Sequence, residues 1–394
     1  MAGIRAAEVL RSEGFDGRLV VVDGDQHALY DKPPLSKAML LGTLAPDRIA
    51  LRRPEAIQAL GLELRHGVMA TGLDTSARRL TTSDGDHLDY DGLILATGSV
   101  ARTVAAWSAL EGVITVRTMA DSLRLRAMLN AGPRRVVIIG AGFIGLEIAA
   151  ISRKLGLEVT VVEPLSAPVV RGLGEQMGGV VASLHRQHGV DLHLGIGVDR
   201  LDGSHRVEAV QLSDGSVVGA DVVVVGIGAG PSTTWLDESG LVISDGIVCD
   251  ETLWAGVTGV FAAGDVVRWP HGLYDETIRI EHWTNAAEQG EAAARNLVAQ
   301  TRGEVGQAYE GLPFFWSDQY DRKIQFLGRA GADDEVRVVA GDPADHKLVA
   351  LYRRGNRLIG ALGMSMPKAL MAYRRLLLER ISWDDALAFA ASQN

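Results

Sequence analysis

Between Arg135 and Glu163 the chain carries a pattern that few folds accommodate. Arg135-Val136-Val137-Ile138-Ile139 is a short apolar run rich in β-branched residues, as a parallel strand buried on both faces requires. It enters Gly140-Ala141-Gly142-Phe143-Ile144-Gly145, after which Leu146, Ile148, Ala149 and Ile151 fall at helical spacing. A second β run, Glu158–Val162, ends in Glu163, roughly 20 residues beyond the glycines. Each glycine has a separate task. Gly140 permits the tight turn, Gly142 lets backbone amides approach a pyrophosphate, and Gly145 lets the helix lie close to the strand. Glu163 stands where an acid accepts hydrogen bonds from an adenine ribose. A glycine triplet alone is weak evidence. Strand, loop, helix, strand and terminal acid in this order point to a dinucleotide site. Pro164 follows the acid with no adjacent arginine, which favours NADH over NADPH, although Arg171 could fold back toward a 2′-phosphate.

Three other segments have the same strand-into-glycine character: Leu93–Gly98, Asp221–Gly228 and Gly259–Asp265. They read as parts of a second nucleotide domain into which the first is inserted. A length of 394 residues calls for two or three domains, and 46 glycines against 12 prolines suit repeated strand–loop–helix joints. The expected boundaries are 1–105 with 225–305 for the outer domain, 106–224 for the inserted one and 306–394 for the last. In that last part short strands follow one another, such as Lys347–Tyr352 and Arg357–Ala361, and a helical tail is expected from Pro367 to about Ala391. A net charge of −10 argues against nucleic acid or an anionic membrane as partner. With Cys249 the only cysteine, neither a Cys-x-x-Cys relay nor a protein-held iron–sulfur cluster is available, and Cys249 itself reads as an ordinary buried thiol. No apolar run approaches a membrane span and no signal segment opens the sequence, so the expected location is the cytoplasm.

Asp265, after Ala262-Ala263-Gly264, has two readings from its surroundings: a hydrogen-bond acceptor for a ribityl hydroxyl, or a helix N-cap. Read together with Tyr30-Asp31-Lys32-Pro33-Pro34-Leu35-Ser36-Lys37, Ala96-Thr97-Gly98, Glu147 behind the Gly140 loop, Glu281-His282-Trp283-Thr284-Asn285-Ala286 and Pro313-Phe314-Phe315-Trp316-Ser317-Asp318-Gln319, it falls into place. In order and spacing these segments resemble the NADH-dependent ferredoxin reductases that serve Rieske-type dioxygenases and bacterial haem-thiolate monooxygenases. The resemblance spans essentially the whole chain. It implies an α/β fold of the glutathione-reductase-like flavoprotein kind: two Rossmann-like domains, for FAD and NAD, plus a C-terminal α+β domain.

By that resemblance Pro34 borders the flavin ring and Lys37 sits near its reactive N5 edge. Gly264 and Asp265 hold the ribityl chain, and Trp283 and Trp316 flank the ring and the electron exit. Ala96, Thr97 and Gly98 lie near the flavin adenylate or pyrophosphate with Arg102 beside them. Gly140, Gly142, Phe143, Ile144, Gly145, Glu147 and Glu163 face NAD. Lys32 stands where the family usually has arginine, and Ala101 where it has proline. Asp25, or Asp23, takes the flavin adenosine ribose. Gly3 is the third glycine of the FAD loop, with its first two glycines and their strand absent from the sequence. The expectation is a start codon assigned too late.

The residues agree with these roles. Lys37 follows two prolines that present it rigidly, and a cation beside a flavin stabilises the electron-rich reduced ring. The plainer readings are a solvated lysine starting a helix, and for Trp316, beside Phe314 and Phe315, a core aromatic. The implied chemistry is hydride delivery from NADH to FAD and single electrons onward to a small [2Fe–2S] ferredoxin. That partner would dock on a basic patch drawn from Arg353, Arg354, Arg357, Arg374, Arg375 and Arg380. A monomer or weak homodimer is expected. Rival readings are an NADH oxidase or CoA-disulfide reductase, which need a cysteine near Ser36 that is not there, and a redox-sensing flavoprotein.

Overall fold

The computed structural model describes residues 1–27, 29–331 and 333–393. The chain divides into two compact units. One comprises Met1–Asp31, Asp47–Val100 and Gly230–Pro313; the other comprises Lys32–Pro46, Ala101–Ala229 and Phe314–Asn394.

In the first unit two long helices, Ala2–Ser12 and Trp283–Thr301, pack together through Ala6, Val9, Leu10 and Ala294. Small residues let them approach closely. A Cβ added at Gly290 would stand 2.3 Å from the Ala2 carbonyl oxygen, so only glycine fits this crossing. Gly3 is less constrained, because a Cβ there would lie 3.7 Å from Ala96, an ordinary contact. Leu93–Leu95 and Val260–Ala262 pair in parallel, as do Val20–Asp23 and Glu63–His66. The antiparallel meander Ala70–Asp74, Arg79–Thr82 and His87–Asp89 lies between the Glu63 and Leu93 strands in sequence.

The second unit holds two sheets of different character. The first is all parallel, in the order Asp191–Leu194, Glu158–Glu163, Arg135–Ile139, Val222–Val225, Val113–Ile114. Val222–Val225, which the expected boundary at 224 divides between the inserted and outer domains, belongs as a whole to this sheet. All four of its residues are buried, and it pairs with Arg135–Ile139 residue for residue from Val222 opposite Val136. A run buried on both faces reads the same in either parallel sheet, which is why sequence could not assign it. The second sheet is antiparallel: Phe314–Gln319, Arg322–Gly328, Arg357–Met364, Lys347–Arg354, Glu335–Asp342. The helix Phe143–Lys154 packs against its first strand, with the Phe143 and Phe315 rings 4.8 Å apart. Tyr352 donates to the Leu173 carbonyl at 2.8 Å, joining the antiparallel sheet to the helix Val170–Gln187.

The expected helical tail is present as three pieces, Pro367–Met371, Tyr373–Leu378 and Trp383–Gln393. Arg380 takes φ 54°, a left-handed conformation that no helix continues through, and Ser382 then bridges to Arg357. Among the described residues no helix is long and apolar enough to cross a membrane.

Candidate functional site

Lys37 is placed by two prolines and a serine. Pro33 and Pro34 open the 3-10 turn Pro33–Ser36, their fixed φ suiting the first helical positions. The Ser122 hydroxyl, on the helix Met119–Asn130, donates to the Leu35 carbonyl at 2.6 Å and holds the turn down. Lys37 then precedes the short helix Ala38–Leu41. Its ammonium donates to the Pro33 carbonyl at 3.2 Å and to Glu147 Oε2 at 2.7 Å. The lysine side chain is 18 % exposed and the glutamate 4 %, so this is a desolvated ion pair and not a solvated lysine.

Removing a carboxylate from water is costly unless every oxygen finds donors. Glu147, one turn into the helix Phe143–Lys154, finds them from three places. Lys37 and the Ser36 hydroxyl share Oε2, and the Ser317 hydroxyl donates to Oε1 at 2.6 Å. Behind Ser317 the bonds continue. Gln319 Nε2 donates to Ser317 Oγ at 3.1 Å, His185 Nε2 meets Gln319 Oε1 at 2.9 Å, and the Tyr320 hydroxyl meets His185 Nδ1 at 3.1 Å. Burial pushes the His185 imidazole down to about 4, so it is neutral at pH 7. Burial likewise pushes the Tyr320 phenol up, and its ring stacks on His188 at 3.6 Å. Glu147 was read from sequence as a residue facing NAD; the structure shows it bonded to Lys37, Ser36 and Ser317. Ser36, Ser317, Gln319 and His185 received no role from sequence. Serines adjacent to named motif residues, Ser36 to Lys37 and Ser317 to Trp316, were the one available signal, and His185 gave none.

The glycine loop is built as its spacing demands. Gly140 has φ 99°, and a Cβ there would lie 2.4 Å from the Gly226 carbonyl oxygen. A Cβ on Gly145 would lie 2.4 Å from the Gly140 carbonyl oxygen. Gly142 differs: nothing lies within 4 Å of the position its Cβ would take, and it caps the N-terminus of a 12-residue helix. Open space beside unpaired first-turn amides is what a pyrophosphate needs. Ile144, 47 % exposed, and the half-buried Phe143 border it. Glu163 Oε2 accepts from the Ala141 amide at 2.7 Å and Oε1 from the Leu165 amide at 3.0 Å. The acid therefore fixes the loop it was expected to work beside. Arg102, in the same unit, donates to the Ala229 carbonyl at 3.0 Å.

In the first unit Asp265 accepts from the Ser99 hydroxyl at 2.9 Å. Gly264, at φ 84°, donates its amide to Gln289 Oε1 at 2.8 Å. Gln289 Nε2 is buried and has no partner among the described residues. An orphaned donor of this kind costs about 1–3 kcal/mol, and a bound acceptor-rich group removes that cost. The glycine–aspartate turn with Gln289 beneath it therefore fits FAD; Gln289 itself was missed in the sequence. Trp283 is 37 % exposed, and its indole N–H donates to Asp31 Oδ1 at 2.6 Å. The Thr97 hydroxyl donates to the Ser232 carbonyl, whose own amide donates to the Gly98 carbonyl. Asp25 accepts from the Tyr30 hydroxyl and from His27, and the Asp23 carboxylate accepts from the Asp25 amide.

Trp316, half-buried in the second unit, stacks on Phe314 with ring centres 6.1 Å apart. Pro34 is half-buried and Lys32 exposed at the start of the Lys37 turn. Of the candidate docking arginines, Arg353 and Arg354 each hold a carboxylate through two nitrogens, Glu335 and Asp334 respectively. Arg374 and Arg375 lie exposed beside exposed Met371 and Leu378. Cys249 is buried and its thiol is pushed up to about 12 by that burial, which makes it inert as a nucleophile. Among the described residues no cluster of three or more His, Cys, Asp or Glu is placed to hold a metal.

Comparison with known proteins agrees with this geometry. Residues 1–290 match the family described as pyridine nucleotide-disulphide oxidoreductase, and residues 314–394 match the family described as reductase C-terminal. The rhodocoxin reductase of Rhodococcus erythropolis is 37 % identical over 95 % of this chain and 87 % of its own. The ferredoxin–NAD(+) reductase component of the anthranilate 1,2-dioxygenase system of Burkholderia cepacia is 36 % identical over 95 % and 91 %. Among solved structures, the covalent putidaredoxin reductase–putidaredoxin complex superposes with a TM-score of 0.90 at 31 % identity, covering 96 % of this chain and 91 % of that one. Matches of this extent place the chain in the FAD-dependent NADH:ferredoxin reductase family, a branch of the pyridine nucleotide-disulphide oxidoreductases that carries a reductase C-terminal domain.

Proposed function

We propose that this protein oxidises NADH and passes the electrons through FAD, one at a time, to a small [2Fe–2S] ferredoxin that feeds an oxygenase. The observation that carries the reading is the desolvated Lys37–Glu147 pair, a fixed positive charge held by a rigid turn and a buried acid. FAD, when bound, supplies the conversion between a two-electron donor and a one-electron acceptor. The amides behind Gly142 hold the NADH pyrophosphate, and Glu163 keeps their loop in shape. Lys37 offsets the negative charge that hydride delivery brings to its neighbourhood. Asp265 and Gln289 hold polar groups of FAD, and the partly exposed Trp283 of the same unit screens it from water. Hydride transfer needs no protein base, so these residues position and tune.

Overall, NADH and two oxidised ferredoxins give NAD+, two reduced ferredoxins and one proton. Arg353 and Arg354 are each held by a carboxylate through two nitrogens, whereas exposed Arg375 reaches Glu379 through a single 3.5 Å contact, so the favoured docking candidates are Arg374 and Arg375, with exposed Met371 and Leu378 close in sequence. A dithiol-relay reading is disfavoured by the buried, high-pKa Cys249.

The direct test is absorbance. The purified protein should show flavin bands that bleach on anaerobic NADH, and cytochrome c reduction should require added ferredoxin. A protein that takes up no flavin overturns the proposal. Reversing charge with Arg374→Glu and Arg375→Glu should raise the KM for ferredoxin about tenfold and leave NADH-driven bleaching unchanged. An equal loss in both assays would remove the docking assignment.

A further inference from the structure

Ser317, Gln319 and His185 have no part in the electron route just described, yet they form one unbroken line behind Glu147. The direction of every bond in that line follows from its buried end. An ionised carboxylate only accepts, so Ser317 commits its single proton to Glu147 Oε1. The serine oxygen is then an acceptor for Gln319 Nε2. This turns Gln319 Oε1 toward His185, so His185 carries its proton on Nε2. Nδ1 is left to accept from the Tyr320 hydroxyl. Four donors from two parts of the chain, residues 317–320 and the helix carrying His185, therefore point one way, toward Glu147. Ser317, Gln319 and His185 are fully buried, so their dipoles act across a medium that screens them little. The Gln319 amide prevents the line from carrying protons, because its nitrogen gives up a proton only through the unstable imidic acid form. What the line transmits is stabilisation of negative charge at one end.

We infer that Ser317, Gln319 and His185 are positioning residues for the reaction: an aligned relay of donors that shares the negative charge of the Glu147 carboxylate, so that less of the paired Lys37 charge is offset and more of it acts on the flavin. The inference rests on the placement of Lys37 beside FAD under Proposed function. Without the relay Glu147 draws the lysine charge to itself, and reduced flavin loses part of its stabilisation.

The decisive comparison is Ser317→Thr against Ser317→Val in the FAD-loaded protein. The two side chains have the same outline, so packing effects cancel and only the hydroxyl differs. Ser317→Val should shift the oxidised-to-reduced flavin equilibrium about tenfold toward oxidised, about 30 mV for a two-electron couple, while Ser317→Thr stays within about twofold of the parent. Gln319→Glu, which replaces the donor with a second carboxylate, should shift it the same way by at least as much. An independent readout is the nitrogen NMR spectrum of histidine-labelled protein, where His185 should be the neutral Nε2–H tautomer and Gln319→Leu should release it from that form. Equal potentials for the Thr and Val variants, while Lys37→Met lowers the potential, would overturn the relay and leave the Lys37 assignment standing. A potential unmoved by Lys37→Met overturns both. Should Val at 317 not fold, a parent His185 protonated on Nδ1 overturns the inference by itself.

Discussion

His185 shows how a single buried side chain writes a pH dependence into the whole fold. Its ordinary value is 6.5 and burial lowers it to about 4 in the folded state. The unfolded chain therefore binds the extra proton first as pH falls. The stabilisation is complete above about 6.5 and is lost progressively toward 4. At pH 5 the loss amounts to about 2 kcal/mol. Urea midpoints should fall between pH 7 and 5, and His185→Gln should flatten that slope; an unchanged slope would refute the assignment. At this scale the sequence was informative where a motif named the residue and silent where the role is conferred by company. Lys37 stood out because two prolines precede it. Nothing local marked His185, whose partners Gln319 and Tyr320 lie more than a hundred positions away and reach it only through the packing of a helix on a strand.

Elements were legible to the extent that their periodicity had one interpretation. The unit from Arg135 to Glu163 formed as read, since β-branched runs, glycines and helical spacing all favoured the same geometry. Val222–Val225 was recognised as a strand, but its grouping was left divided between two domains, because a doubly buried run carries no mark of which parallel sheet it joins. The tail breaks at Arg380, whose left-handed turn has no glycine to announce it. The three loop glycines separate in a way that can be measured. Gly145→Ala should lower the melting temperature, costing about 1–3 kcal/mol as its Cβ meets the Gly140 carbonyl. Gly142→Ala should fold normally, since its Cβ meets open space, yet raise the KM for NADH about tenfold by occupying the ligand's place. Gly290→Ala should also destabilise, by pushing two helices apart at Ala2, without touching NADH affinity. If Gly142→Ala left NADH binding intact, the pyrophosphate would have to lie elsewhere.

On the scale of the molecule, the composition and glycine-rich joints indicated an α/β protein of several parts, and the parallel sheet with its flanking helices is that architecture. How the parts group is a property of packing, and the sequence is a poor guide to it. The segment Lys32–Pro46 leaves the first unit after Asp31 and clusters with residues that lie far along the chain. Lys37 thus owes its surroundings to Ser122, Glu147 and, through Glu147, Ser317, and little to the residues on either side of its own segment. Anyone recombining relatives of this protein inherits the consequence. A hybrid that exchanges residues 314–394 alone would pair a foreign strand with the native glutamate. Swapping 32–46 and 101–229 in the same step keeps co-adapted partners together. Hybrids cut by packing should retain their colour and turnover, while those cut at convenient places along the gene should lose both.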